Sequence, residues 1–95
     1  MDDIEDILQD ARDCSDENKL LRHAGSSAPG VALEVAKSAH ATGKVLETLA
    51  DSKSLIIRHE VAKNPNTPRK CLEKMLEDSD MLVYHYARQT LAKLS

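Results

Sequence analysis

The string Glu-Val-Ala-Lys stands at positions 34–37 and again at 60–63, 26 residues further on. The spacing is not confined to those four residues. Sliding the chain against itself by 26 positions lays VALEVAKSAHATGKVLETLADSKSLI over IRHEVAKNPNTPRKCLEKMLEDSDML, with seven identities: Glu34/Glu60, Val35/Val61, Ala36/Ala62, Lys37/Lys63, Lys44/Lys70, Leu46/Leu72 and Glu47/Glu73. The unlike pairs keep their character, as in Val31/Ile57, Val45/Cys71, Leu49/Met75, Asp51/Glu77 and Leu55/Met81, and the register runs on into Val83, His85 and Ala87. A repeat of about 26 residues restricts the fold more than any single motif could. Each unit is one supersecondary element that cannot bury its apolar face alone, so neighbours must stack.

Each unit reads as two short helices. In the first, Ile57 and Val61 lie one turn apart and share a face, Arg58 and Glu60 flank it, and His59 and Lys63 fall on the opposite, solvent-facing arc. Asn64-Pro65 ends that helix, because the residue before a proline is pushed out of the helical region and Asn tolerates a left-handed conformation. Thr67 is the expected N-cap of the second helix, with Pro68 at its first position and Cys71, Leu72, Met75 and Leu76 as its apolar stripe. Val45, Leu46, Leu49 and Ala50 hold those places in the preceding copy. Ser79-Asp80 opens a longer last helix running from about Met81 to Lys93. Before Val31 the register fades. There, Ile4, Ile7, Leu8 and Ala11 form a narrow stripe, a capped helix is expected after Ser15, and 25–30 is a loop.

The inventory of side chains agrees with helical layers. The 95 residues contain no Trp or Phe and only two Tyr, so a core must come from Leu, Val, Ile, Ala and Met. The expectation is an all-α single domain over 1–95, with 1–30 an acidic N-terminal helical cap and 31–95 the repeats. No apolar run approaches the roughly 20 residues that a membrane span needs, and the opening MDDIED is unlike a secretory leader. Two cysteines, Cys14 and Cys71, in no metal-type spacing fit free thiols in a reducing, cytoplasmic setting.

The stretch RHEVAKNPNTPRKCLEKMLEDSDMLV resembles one unit of the leucine-rich repeat variant family, whose pattern runs approximately V-R-x-x-V-A-x-N-P-N-T-P-x-x-L-L-x-x-L-x-x-D-x-x-x-x-V-R. The matching residues are Ile57, Arg58, Val61, Ala62, Asn64 to Pro68, Cys71, Leu72, Met75 or Leu76, Asp78 and Val83. The copy at 31–56 is degenerate, with SAHAT where the pattern has NPNTP. The resemblance implies a short right-handed superhelix, an α-solenoid of helix pairs related to HEAT-like repeats. The iron–sulfur cluster that the family's name-giving member carries on a cysteine-rich N-terminal part does not carry over, because four thiolates are the usual requirement and the chain has two cysteines.

Little in the chain points to catalysis. Cys71 reads as a small core residue, and the acidic stretch around Cys14 works against a thiolate. The three glycines form no phosphate loop. His59 and His85 are register partners that two metal ligands would resemble, but no third ligand follows the same register. No cofactor is expected. The chain is read as a non-enzymatic protein–protein interaction module with a regulatory role open to it. The alternatives are a nucleic-acid-binding HEAT-like module and a metal-linked regulatory protein.

Candidate partner-binding residues are Lys37, Lys44, His59, Lys63, Lys70 and His85, which recur at equivalent positions of successive units. Nucleic acid is disfavoured by a net charge of −3 and the lack of stacking aromatics beyond Tyr84 and Tyr86. The expected assembly is a monomer or homodimer that binds an unidentified protein and no membrane. Charge is unevenly spread. Residues 1–18 hold eight acids and one base, net −7, and the rest hold eight acids and twelve bases, net +4. One expectation is that this acidic segment is drawn across the rows of Lys37, Lys63, Lys44 and Lys70; the simpler one is a packed first helix.

Overall fold

Seven helices, with no strand among the described residues, follow one another along the chain: α1 (Ile4–Asp13), α2 (Glu17–Ala24), α3 (Val31–Lys37), α4 (Gly43–Ala50), α5 (Leu55–Lys63), α6 (Arg69–Met75) and α7 (Met81–Leu94). The computed structural model describes residues 4–26 and 30–94, without the side chains of 4–6, 12 and 13. The expected side-chain role of Ile4 and the centre of the 25–30 loop therefore lie outside the described residues.

Local chemistry sets most helix starts. Asp16 accepts from the backbone N–H of Asn18 and Lys19 and caps α2. Thr42 caps α4 through Val45 N–H, and Ser54 caps α5 through Ile57 N–H. Asp80 caps α7 through the N–H groups of Leu82 and Val83 at 3.1 and 3.0 Å. Side-chain oxygens satisfy the orphan donors of a first turn in each case. Gly30, at φ 81°, turns the chain into α3 through the left-handed region that glycine enters without strain.

Three caps differ from their sequence reading. The cap of α2 is Asp16, one residue after Ser15. Asn64 closes α5 in an extended conformation, φ −79° and ψ 121°, because Pro65 excludes the helical region and no left-handed residue is needed. Thr67 does not cap α6. It is buried, and its Oγ1 donates to Val61 C=O at 2.7 Å, a second bond to a carbonyl at the end of α5 that also accepts from Asn64 N–H, while Pro68 takes the cap position of α6 with no side-chain bond.

The helices alternate between two layers. One layer is α1, α3, α5 and α7, each packed on the next, and the other is α2, α4 and α6; the layers meet where α2 packs on α3, α4 on α5 and α6 on α7. The molecule measures 43 × 23 × 16 Å. Its core is a continuous set of aliphatic side chains between the layers. Leu20, Val31, Val35, Val45, Leu46, Val61, Leu72, Val83 and Ala87 are fully buried. Within the second layer the chain approaches itself closely where α4 begins: a Cβ on Gly43 would stand 2.9 Å from Cγ of Pro68, the cap of α6, so glycine is required there.

Asn64 and Thr90 tie helices across the layer. The Asn64 side-chain amide donates to Ala36 C=O at 2.9 Å and to Ser38 C=O at 3.1 Å, and Thr90 Oγ1 donates to Ala62 C=O at 2.6 Å. Asn66 adds bonds to the carbonyls of Ala39 and Ala41. No buried side-chain nitrogen or oxygen among the described residues lacks a partner. At the other end, α1 packs on α3 with Ala11 buried and Leu8 half-buried, and Asp10 Oδ2 sits 2.7 Å from His23 Nε2. Among the described residues no ion pair joins α1 to Lys37, Lys44, Lys63 or Lys70.

Candidate binding surface

The six candidate residues fall into two groups. Lys37 and Lys63 occupy the last turns of α3 and α5, where a cation complements the negative end of the helix dipole. With Glu60, Ala39 and the loop from Asn64 to Asn66 they line a shallow depression of about 240 Å³. Lys63 Nζ lies 3.1 Å from Glu60 and 5.1 Å from the centre of the Tyr86 ring, so its charge is already engaged. Lys37 is exposed.

His59 does not face solvent as its helical position alone suggests. Its side chain is 20% exposed, with Nε2 2.8 Å from Asp80 Oδ2 and the ring edge-on to Tyr86 at 5.8 Å. The reason is α7, which covers the arc of α5 that an isolated helix would leave open. His85 is exposed and tilts against the same Tyr86 ring at 6.0 Å. The two histidines thus share an aromatic neighbour, and among the described residues no three His, Cys, Asp or Glu side chains come together as a metal site. His59 works beside Arg58, whose guanidinium donates to both Asp78 oxygens and to Ser52 C=O. Together they clamp the loop from Asp78 to Asp80 onto α5. The hydrogen bond from His59 holds the Asp80 carboxyl below the usual carboxylate range, helped by Val83 N–H, and His23 does the same for Asp10.

Lys44 and Lys70 belong to the other layer. They stand in the first turns of α4 and α6; Lys70 lines an open groove of about 510 Å³ between these helices, and Lys44 does not. Ala50, Cys71 and Met75 supply the apolar lining, with Cys71 9% and Met75 4% exposed. The α4 wall contributes Glu47 and Asp51; the α6 wall contributes Lys70, Lys74 and, at its end, Glu77. Burial raises the Cys71 thiol, with the Glu47 and Asp51 charges adding to it and Lys74 opposing. A thiol raised in this way is a poor nucleophile at neutral pH.

These charges are placed against the helix dipole. Anions favour helix N-termini and cations C-termini by about 0.3–1 kcal/mol each. Helices α2 and α3 follow the rule, with Glu17 and Glu34 in their first turns and Arg22, His23 and Lys37 in their last. Helix α4 reverses it, with Lys44 in the first turn and Asp51 at the C-cap. Helix α6 has Arg69 and Lys70 at its start and Glu77 just beyond its end, and only Lys74 follows the rule. Lys44, Glu47, Asp51, Lys70, Lys74 and Glu77 form no ion pair among the described residues. Apart from that of Lys74, their placement therefore adds nothing to the stability of the helices that carry them.

Single-helix reasoning misses Asn64, Asn66, Thr90 and the Arg58–Asp78 and His59–Asp80 contacts, because each acts on a neighbouring helix. The one signal available was the register itself, which sets Asn64 and Thr90 at equivalent positions. No family model, curated protein or solved structure matches the chain. No helix of the described residues is long and apolar enough to cross a membrane.

Proposed function

We propose that the chain is a short right-handed superhelix of helix pairs, of the leucine-rich repeat variant type, that binds a protein partner and carries out no catalysis. Its period of about 26 residues is supported by helix boundaries: α3 and α5 end at Lys37 and Lys63, α4 and α6 begin at Gly43 and Arg69, and α5 and α7 begin at Leu55 and Met81. Hydrogen bonds recur at the same spacing. Asn64 to Ala36 becomes Thr90 to Ala62, and the Ser52–Ser54 turn becomes the Asp78–Asp80 turn. Stacks of this kind bind through extended faces built from equivalent positions.

The observation that carries the binding reading is the α4–α6 face. It is an open groove with an apolar lining, bordered by Glu47, Asp51, Lys70, Lys74 and Glu77, none of which forms an ion pair among the described residues. Affinity capture with the purified full chain tests it, using wild type beside two surface variants, K37E/K63E and E47K/E77K. The reading requires a protein retained by wild type and lost by at least one folded variant. Equal retention by all three, or no specific retention, contradicts it.

A further inference from the structure

We propose that the α4–α6 groove receives a short protein segment in which an apolar anchor is flanked by basic residues. This rests on the reading of the chain as a protein-binding module and names the chemistry of its partner. The groove's volume, about 510 Å³, lies within the range of roughly 300–1,000 Å³ typical of binding pockets. Its lining of Ala50, Cys71 and Met75 is matched by an aliphatic side chain, and Cys71 presents a free thiol there.

Charge selects what lies beside the anchor. The α4 wall offers only acids, Glu47 and Asp51, and Glu77 continues that sign at the far end of α6. Asp78, the fourth acid of the lining, is already held by Arg58. The Glu47 and Asp51 carboxylates act on the Cys71 thiol in the same direction, with Lys74 opposing them. Lys70 and Lys74 on the opposite wall then repel a segment that is basic throughout and fix which edge faces α4. The partner's basic residues therefore face Glu47, Asp51 and Glu77, with its apolar anchor on the floor between Cys71 and Met75.

The test is selection of peptides by the full chain. A phage library of random dodecapeptides is panned on wild type, and the enriched sequences are assayed against E47K/E77K, K37E/K63E and a C14S chain in which Cys71 is the only thiol. Enriched peptides should pair Leu, Met or Ile with Arg or Lys. Their affinity should fall about tenfold or more on E47K/E77K, the equivalent of one lost charge contact. At ten times its dissociation constant a synthetic copy should slow maleimide labelling of Cys71 about tenfold.

Enrichment of acidic or uncharged sequences overturns the proposal, as does binding that E47K/E77K leaves intact or that leaves Cys71 labelling unchanged. Peptides lost on K37E/K63E instead would keep the module reading and move its site to the α3–α5 depression. An absence of specific peptides contradicts both. Should E47K/E77K lose its helical circular dichroism, E47Q/E77Q and the Cys71 labelling rate decide the outcome.

Discussion

Asn64 serves three carbonyl and amide groups with one side chain. Its amide satisfies Ala36 and Ser38 at the end of α3, and its own Oδ1 accepts from Asn66 N–H. Replacing it by Ala leaves the Ala36 carbonyl without its side-chain donor and the Ser38 carbonyl with Ala41 N–H at 3.3 Å, a cost of about 1–3 kcal/mol for a buried group left unmet. Urea denaturation of Asn64→Ala should show a loss in that range or above; a loss under about 0.5 kcal/mol would mean that water replaces the amide freely. The sequence showed that Asn64-Pro65 stops a helix, which is a local property of the dipeptide. It did not show where the amide points, because the acceptors lie 26 and 28 residues earlier. His59 was misread for a similar reason, its partner Asp80 lying on the next helix start. That contact makes a pH prediction. A carboxyl whose folded value is depressed stabilises the fold above its unfolded value, near pH 4, and loses that contribution as pH falls through the folded value. Wild type should lose thermal stability between pH 5 and 3, and Asp80→Asn, which keeps the cap, should lose less over the same interval. Equal losses would assign the pH dependence to other carboxylates.

At the scale of elements, what was legible is the apolar period. Val35, Leu46, Val61 and Leu72, expected to be buried because each shares a stripe with its equivalent, are all fully buried, and α7 runs Met81–Leu94 where a long last helix was expected. Leu72 lies at the centre of α6 with no exposed surface. Leu72→Ala should cost roughly 2–5 kcal/mol, the range for opening a cavity in a helical core. A loss under about 1 kcal/mol in chemical denaturation would mean that α6 collapses onto α7 without strain. What was not legible is the groove. Lys44 and Lys70 were read as candidate partner-binding residues from their register alone, and only the side-by-side packing of α4 and α6 brings Lys70 and Glu47 to one groove, without Lys44. The sequence does carry one clue to it. Lysines at both helix starts and acids at both ends oppose the dipole, and that order can be read from residues 43–51 and 69–77 alone.

At the scale of the whole molecule, the proposed stack uses one unit more than once. The alternation of layers gives that idea a physical basis: α3, α4 and α5 each pack on the helix two before and on the helix two after. The acidic N-terminus fits the same order, since α1 packs on α3 as α3 packs on α5. A stack tolerates an added unit, because the new unit offers its neighbours the faces they already meet. Duplicating residues 43–68, which carry α4, α5 and the loop after it, tests this most directly. The lengthened chain should fold as a helical monomer that unfolds in one transition, with a denaturant slope about a quarter larger than that of the 95-residue parent. A duplicated chain that aggregates, loses helical circular dichroism or keeps the parent's slope would contradict the stack.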